Sequence, residues 1–201
     1  MSYRRLAKVI TVMFLGLFAA GCSRSKPARF YVLAPLSRSE VSKEKTLADR
    51  SDVIGIGPVE LPEYIDRPQM VIRLSDQRLE LAEFDRWAEP LKASFPRTVA
   101  ENLSTLLSTE GVVNLPSKSV TALSHRIAVE VIRFDGSPGE SATLIARWTI
   151  LNAEGKDIVP LTRSEYIVET QAPGFEGLAK AMSKAVADLC REIATAMAAV
   201  I

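Results

Sequence analysis

The chain has 201 residues, of which 47% are hydrophobic and 24% are charged, a composition typical of a folded globular protein. Its 25 basic and 24 acidic residues nearly cancel. This argues against nucleic-acid binding, because that function needs clustered lysine and arginine on a strongly basic domain. The length is sufficient for one domain with a substantial hydrophobic core. The composition therefore predicts a single globular domain with no nucleic-acid partner.

The amino terminus has the pattern of a bacterial export signal. Arg4, Arg5 and Lys8 precede an uncharged stretch over residues 9–20, and this stretch ends in small residues. Its twelve residues are fewer than the roughly 20 that a membrane-spanning helix needs. The pattern therefore favours a signal for export over a segment that spans the membrane.

Cys22 follows an Ala-Ala-Gly sequence directly, and this arrangement resembles the lipobox of bacterial lipoproteins. In such proteins the signal is removed before the cysteine, and the cysteine is acylated. The resemblance implies a signal peptide over residues 1–21 and an acylated tether over residues 22–28. Ser23 stands where inner-membrane lipoproteins usually carry aspartate, which resembles sorting to the outer membrane, facing the periplasm. The alternatives are an ordinary cleaved signal with an unmodified cysteine and an uncleaved anchor.

The predicted domain, over residues 29–201, begins with short strands. Four stretches rich in β-branched or aromatic residues predict strands, over residues 29–33, 53–61, 69–74 and 78–82. In the second stretch, Gly55, Gly57 and Pro58 indicate an edge strand or a bulge. The segment Pro62–Pro68 is a tight connection bracketed by prolines.

The first predicted helix extends from Pro90 to Leu106. Its apolar residues recur at spacings of three and four and form one stripe, made of Leu91, Phe95, Val99, Leu103 and Leu106. Pro90 suits the first helical turn, because its missing N–H costs nothing there. Pro96 lies inside the pattern and cannot donate a backbone hydrogen bond to Lys92, so we expect a kink or a shortened start.

Three extended stretches occupy the second half of the domain. The predicted strands run over residues 125–134, 142–151 and 157–168. The turn-forming segments 135–139 and 152–155 separate them. Such short connections predict an antiparallel meander.

A long amphipathic helix ends the chain. It follows Pro173 and Gly174 and carries Cys190 among apolar residues, so this cysteine is expected to be a buried small hydrophobe. Taken together, the predicted elements give an α+β fold. It is a single domain with a mostly antiparallel sheet packed by two main helices.

The sequence contains few residues suited to catalysis or metal binding. His125 is the only histidine and lies at the start of a predicted strand, where a satisfied or solvent-facing side chain is expected. Ser124 beside it does not form a nucleophile–base pair, because neighbours on a strand point to opposite faces. One histidine and one free thiol cannot supply the nitrogen and sulfur ligands of a zinc site. The sequence therefore predicts no enzyme activity, catalytic residue, metal site or cofactor.

Two segments give the chain a family resemblance. One covers residues 54–69 and contains Glu-Leu-Pro-Glu-Tyr-Ile-Asp-Arg-Pro-Gln. The other covers residues 79–91 and contains Phe-Asp-Arg-Trp-Ala-Glu-Pro-Leu. Together with the lipobox and the Phe-Tyr-Val-Leu sequence at residues 30–33, they resemble the paraquat-inducible protein C family, the auxiliary lipoproteins of ABC-type transporters.

The resemblance implies a lipoprotein that works with a mammalian-cell-entry-domain periplasmic protein and its inner-membrane transporter. Such systems are thought to move lipids between the two membranes and to support envelope integrity. The resemblance also implies an α/β domain without a catalytic residue, and it allows a ring-shaped homo-oligomer. On this basis the chain would anchor or complete the periplasmic conduit. The residues alone leave two alternatives open, a stand-alone periplasmic lipid-binding carrier and a small envelope hydrolase.

Five residues within these segments are predicted to bind a partner. Tyr64 and Arg67 lie in the proline-bracketed turn, and Phe84, Arg86 and Trp87 lie at a strand-to-helix junction. Tyrosine, tryptophan and arginine are the residues that most often carry the binding energy of an interface. The alternative is intramolecular: the two arginines pair with nearby acids, and the tryptophan packs the helix against the sheet.

Overall fold

The structure is a computed structural model that describes residues 26–40, 52–116 and 122–200, together with the single residue Tyr3. The predicted acylation site Cys22, the predicted signal peptide apart from Tyr3, and the first part of the predicted tether lie outside the described residues.

Eight strands and two α-helices occur in the described part of the chain. The strands are β1 (Arg29–Tyr31), β2 (Ile54–Glu60), β3 (Gln69–Arg73), β4 (Leu79–Trp87), β5 (Val112–Asn114), β6 (His125–Gly136), β7 (Ser141–Asn152) and β8 (Asp157–Glu169). The α-helices are α1 (Leu91–Leu107) and α2 (Gly174–Ala198). Short 3-10 helices at Arg38–Glu40 and Glu63–Ile65 precede β2 and β3.

The strands form one sheet around β6. On one side, β7 pairs with β6 and β8 pairs with β7, in the two longest ladders of the sheet, and both are antiparallel. On its other side, β6 pairs in parallel first with β2 and then, at Gly136, with β3. β5 extends the sheet from β2, whereas β4 and then β1 extend it from β3. The predicted α+β fold and the meander of the last three strands are confirmed, but the parallel pairings were not predicted.

Two strands extend beyond their predicted ends. β4 continues to Trp87 instead of ending near residue 82, because it bulges against β3: Gln69 pairs with Arg86, but Val71 pairs with Leu81. β6 continues to Gly136, so Asp135 is a fully buried strand residue. The predicted turn over residues 135–139 therefore begins two residues too early.

β2 contains the predicted bulge. Its register against β6 shifts between Ile56 and Val59. Gly57 there has a φ of 137°, a backbone conformation that favours glycine because a side chain would be strained. β2 lies between β5 and β6, so the alternative of an edge strand is wrong.

The helices cover the sheet and enclose the core. α1 packs over β2 and β5, and α2 packs over β6, β7 and β8. Pro96 lies inside α1, which begins at Leu91, so the alternative of a shortened start is wrong. Phe95 of α1 meets Phe134 of β6 edge to face, with ring centroids 5.4 Å apart. Cys190 of α2 is fully buried, as predicted, and burial raises the pKa of its thiol to about 12.

Candidate partner and membrane-facing surfaces

The predicted partner-binding residues lie around one corner of the sheet, where the turn over residues 62–68 meets the end of β4. The backbone N–H of Trp87 donates to the carbonyl of Pro68 at 2.7 Å and attaches the turn to the strand. Asp66 of the turn forms a 2.5 Å ion pair with Lys92 in the first turn of α1. We call this region the β4 corner, made of residues 62–68 and 83–87.

A buried carboxylate holds the turn of the β4 corner in place. The Tyr64 hydroxyl donates to Asp135 Oδ2 at 2.7 Å and accepts from the backbone N–H of Phe134 at 3.1 Å. Arg73 donates to both carboxylate oxygens, at 2.8 and 2.7 Å, and Arg133 Nε donates to Oδ1 at 2.9 Å. Because Asp135 is fully buried, these donors replace the water that an ionised carboxylate needs. We call the side chains of Tyr64, Arg73, Arg133 and Asp135 the Asp135 cluster.

The electrostatics of the Asp135 cluster favour a charged carboxylate and a neutral phenol. Burial alone would raise the pKa of Asp135, but the hydrogen bonds from Arg73, Tyr64 and Arg133 outweigh it and lower the pKa below its usual value. Burial, supported by the neighbouring Asp135 and opposed by the Phe134 N–H, raises the pKa of Tyr64 to about 12. The Tyr64 hydroxyl thus makes internal contacts, as in the intramolecular alternative.

The other four predicted residues differ in accessibility. Trp87 is only 5% exposed and belongs to the hydrophobic core, where it packs as the intramolecular alternative expects. Phe84 and Arg86 are half-buried, and Arg86 Nε donates to the carbonyl of Glu83 at 3.0 Å. Arg67 is also half-buried, and its Nε has no hydrogen-bond partner among the described residues. Within residues 26–40, 52–116 and 122–200, neither arginine forms the ion pair with an acid that this alternative expected.

A second buried carboxylate holds the strand that follows the tether. Asp85 Oδ2 accepts from Arg29 Nη2 at 2.8 Å, and Asp85 Oδ1 accepts from the Tyr31 hydroxyl at 2.8 Å. The Asp85 side chain is 6% exposed, whereas that of Arg29 is 65% exposed. Sequence reasoning missed Asp85 because its partners lie 54 and 56 residues away in the chain. Its contacts fix the place where the tether joins the fold.

The predicted tether precedes β1, whose first residue is opposite Asp85 of β4. β1 runs parallel to β4, so the residues before Arg29 run toward the turn between β3 and β4. Other connections meet at this end: the Ser137 hydroxyl donates to the Arg73 carbonyl at 2.6 Å, and the Thr170 N–H donates to the Glu140 carbonyl at 2.9 Å. We call this region, toward which the amino-terminal end of β1 faces, the tether end, made of residues 74–81, 137–140 and 170–174.

After β1 the chain crosses the helices and borders a groove. The N–H of Ala34 donates to Ser183 Oγ at 3.1 Å, and the N–H of Leu36 donates to Asn102 Oδ1 at 2.7 Å. An open groove of about 540 Å³ lies between this segment and α2. It is lined by apolar side chains of the segment and by polar side chains of α2, among them Phe30, Val32, Lys180, Lys184 and Arg191. Each of these three cations is ion-paired with an acid of α2.

Metal binding and membrane crossing have little basis in the part of the chain that the structure describes. These residues contain no group of three or more histidine, cysteine, aspartate or glutamate side chains placed to bind a metal ion. His125 is half-buried, and its Nδ1 has no hydrogen-bond partner in the described part of the chain, which differs from the satisfied or solvent-facing side chain expected. In the same ranges, no helix is both long and apolar enough to cross a membrane.

Comparison with known proteins gives the family. The sequence model of the family described as ABC-type transport auxiliary lipoprotein component matches residues 31–194. The chain belongs to this family. The resemblance inferred from residues 54–69 and 79–91 is thereby confirmed, and the family is one of transport auxiliaries and not of enzymes.

Individual relatives agree with the family. The intermembrane transport lipoprotein PqiC of Escherichia coli (strain K12) is 27% identical over 186 residues, which cover 90% of this chain and 95% of that protein. The protein of the same name from Shigella flexneri matches equally well.

Two crystal structures share the fold. One, of an uncharacterized protein, has a TM-score of 0.69 at 19% identity and covers 86% of this chain and 99% of its own. The other, protein XCC0632 from Xanthomonas campestris, has a TM-score of 0.68 at 14% identity and covers 86% of this chain and 97% of its own. At such low identity, these matches establish the fold alone.

Proposed function

We propose that this chain is the outer-membrane-anchored lipoprotein of an intermembrane lipid transport system, in which it anchors or completes the periplasmic conduit. The observation that carries the proposal is the family match over residues 31–194, in a chain that has a lipobox cysteine at position 22. The relative named for intermembrane transport aligns with 90% of the chain. In the proposed mature protein, residues 1–21 are removed and residues 22–28 form the acylated tether.

The proposed mechanism is mechanical and not catalytic. Acyl chains on Cys22 hold one end of the molecule in the bilayer, because two or more chains bind a membrane stably. Arg29 and Tyr31 then connect the tether to β4 through the buried Asp85. A load on the tether is thus carried into the sheet, which presents the rest of the domain to the periplasm.

The partners we propose are a mammalian-cell-entry-domain periplasmic protein with its inner-membrane transporter, and further copies of this chain. The β4 corner is the surface we assign to the conduit protein. Arg67, Arg86 and Phe84 each keep part of their side chain accessible there. The Asp135 cluster fixes the turn beneath Arg67 before any partner binds. A surface that is already ordered loses less conformational entropy on binding, which favours recognition.

Affinity purification from the envelope tests this proposal. The full-length acylated protein, cross-linked in membranes and purified by a carboxyl-terminal tag, is expected to recover a mammalian-cell-entry-domain protein. Arg67→Ala with Arg86→Ala should reduce that recovery several-fold. The matched control is Arg147→Ala with Arg163→Ala, which removes two exposed arginines from β7 and β8. Recovery of no such protein, or equal loss with both pairs, would contradict the assignment.

A second candidate function is a stand-alone periplasmic lipid carrier, and the groove beside α2 is the observation that favours it. Its volume of about 540 Å³ lies within the range of roughly 300–1,000 Å³ typical of small-molecule pockets. A carrier should co-purify with phospholipid as a monomer. A lipid-free protein that co-purifies with the conduit protein would exclude the carrier. We do not propose the hydrolase alternative, because the family is one of transport auxiliaries.

A further inference from the structure

The hairpin formed by β3 and β4 carries exposed leucines at the tether end. The exposed fractions are 48% for Leu74, 37% for Leu79 and 44% for Leu81. Leu79 and Leu81 are two residues apart on β4, so they point to the same face of the strand. Phe30, the second residue of β1, is also exposed and lies opposite Arg86, five residues further along β4 than Leu81. Apolar side chains that cluster on a surface mark a place of contact with a membrane or another molecule.

The register of the sheet puts this hairpin beside the tether. Arg29 is opposite Asp85, and β1 and β4 run in the same direction. The amino-terminal end of β1 therefore faces the direction in which Leu81 and Leu79 lie along β4. The hairpin turn lies beyond Leu79, where the Leu74 N–H donates to the Arg78 carbonyl at 3.0 Å. The leucines and the amino-terminal end of β1 thus face the same way along the strands.

The length of the tether limits how far this end can be from the bilayer. Cys22 precedes Arg29 by seven residues. At 3.3–3.6 Å per residue, the tether spans at most about 25 Å even when fully extended. An acylated Cys22 therefore keeps Arg29, which is opposite Asp85 of the same hairpin, within about 25 Å of the membrane surface. The opposite end, with the β7–β8 turn, is separated from the tether end by the length of β7.

We propose that the β3–β4 hairpin is a second membrane contact, in which Leu74, Leu79 and Leu81 enter the interfacial region of the bilayer beside the lipid anchor. The inference rests on the proposed acylation of Cys22. The occupant is a phospholipid surface of no particular headgroup, because Asp76 and Arg78 in the turn carry opposite charges. Two contacts, the anchor and the hairpin, would hold the domain in one orientation with the β7–β8 turn toward the periplasm.

Site-specific fluorescence on the acylated, full-length protein tests the contact. A thiol-reactive fluorophore is placed at Gln77→Cys in the hairpin turn or, as the matched label, at Glu154→Cys in the β7–β8 turn. The native cysteines do not compete, because Cys22 carries the lipid and Cys190 is fully buried. In vesicles of phosphatidylethanolamine and phosphatidylglycerol, the hairpin label should be quenched by nitroxide headgroups. It should also be several-fold less accessible to iodide than the label at position 154.

Serine substitutions test whether the leucine side chains hold the hairpin at the membrane or whether the lipid anchor alone keeps it nearby. Leu74→Ser with Leu79→Ser, combined with the hairpin label, should restore iodide access while the protein still sediments with vesicles. The control, Leu161→Ser with Val200→Ser, removes two exposed apolar side chains away from the tether end and should change nothing. Unchanged tryptophan emission shows that a variant is folded, because Trp87 and Trp148 are both buried.

Four results would overturn the inference. A hairpin label as open to iodide as the one at position 154, in protein that sediments, rejects the contact but leaves the anchor intact. Protection from iodide without nitroxide quenching means that protein, such as a second copy of the chain, covers the hairpin. Protection that survives both leucine substitutions rejects the apolar contact. If the unsubstituted protein does not sediment with vesicles, the anchor itself is wrong and the proposed function fails with it.

Discussion

Two buried aspartates, Asp135 and Asp85, attach chain segments to the sheet, but their surroundings differ. Asp135 is fully buried and accepts hydrogen bonds from three side chains that belong to the 62–68 turn, β3 and β6. Asp85 accepts from two side chains, both in β1, and one of them is the largely exposed Arg29. The first aspartate therefore joins parts of the core sheet, whereas the second joins the sheet to the tether.

This difference separates what stabilises the domain from what holds β1, the strand that follows the predicted tether. Loss of Asp135 leaves two arginines and a tyrosine without their shared acceptor inside the fold. Loss of Asp85 frees one short edge strand whose pairing with β4 covers only three residues. We expect the first loss to act on global stability and the second mainly on the junction with the tether.

The largest effect is expected from Asp135→Ala. Removing one partner of a buried ionic network costs about 3 kcal/mol or more, because the remaining charges lose their compensation. Urea unfolding of the full chain measures this cost. The control is Glu176→Ala, which breaks an exposed pair with Lys180 and should leave the midpoint nearly unchanged. Equal midpoints for the two variants would contradict the role of Asp135 in global stability.

Ionisation of Tyr64 at high pH should lower the stability of the fold by less than Asp135→Ala does. The usual pKa of a tyrosine is 10.0, and in the fold that of Tyr64 is raised to about 12. A group whose pKa is higher in the folded than in the unfolded state stabilises the fold at pH values below its unfolded-state pKa. This stabilisation is lost as the pH rises toward the folded-state pKa. The wild type should therefore lose about 1–2 kcal/mol more than Tyr64→Phe between about pH 10 and pH 12. Parallel stability curves over this range would contradict the internal role of the hydroxyl.

Asp85→Asn should act mainly on the tether junction. It weakens the contacts to Arg29 and Tyr31 and should cost about 1 kcal/mol of global stability, in line with a few hydrogen bonds. Trypsin should cleave after Arg29 several-fold faster than in the wild type, and the product beginning at Phe30 is measured by mass. Glu83→Gln is the control, because Glu83 is exposed on the same strand. A cleavage rate equal to that of the control would show that Asp85 does not hold the tether.

The smallest effect is expected when Arg29 and Tyr31, the two side chains that donate hydrogen bonds to Asp85, are replaced one at a time. The Tyr31 hydroxyl donates to Asp85 from a partly buried residue, whereas Arg29 is largely exposed. Tyr31→Phe should therefore lower the urea midpoint more than Arg29→Ala does. The reverse order would assign the junction to the surface ion pair, and its stability should then fall with added salt.

Elements with local signals were predictable from the sequence. The boundaries of β6, β7 and β8 agree with the predictions to within two residues, because alternating apolar residues and tight turns are encoded locally. Both α-helices also follow their apolar stripes. The parallel pairings of β1 and β2 were not predictable in this way, because they join segments that are distant in the chain.

The roles of Asp135 and Asp85 were also not predictable from the sequence, because their partners are distant in the chain. Asp135-Gly136 was assigned to a turn, because Asp-Gly is a common turn dipeptide. Burial in β6 became favourable only because Arg73 and Tyr64 approach from 62 and 71 residues away. The candidate corner was found from its motif, but the burial of Trp87 and the internal role of Tyr64 required the structure.

Mass spectrometry of the amino-terminal peptide, on protein extracted from the envelope, tests the central claim most directly. That claim is an acylated Cys22 that holds a non-catalytic domain at the membrane. We expect the mature chain to begin at Cys22 with the added mass of its acyl groups, and Cys22→Ser to remove both the mass and the membrane association. A mature chain with an unmodified Cys22, or with another first residue, would contradict the account.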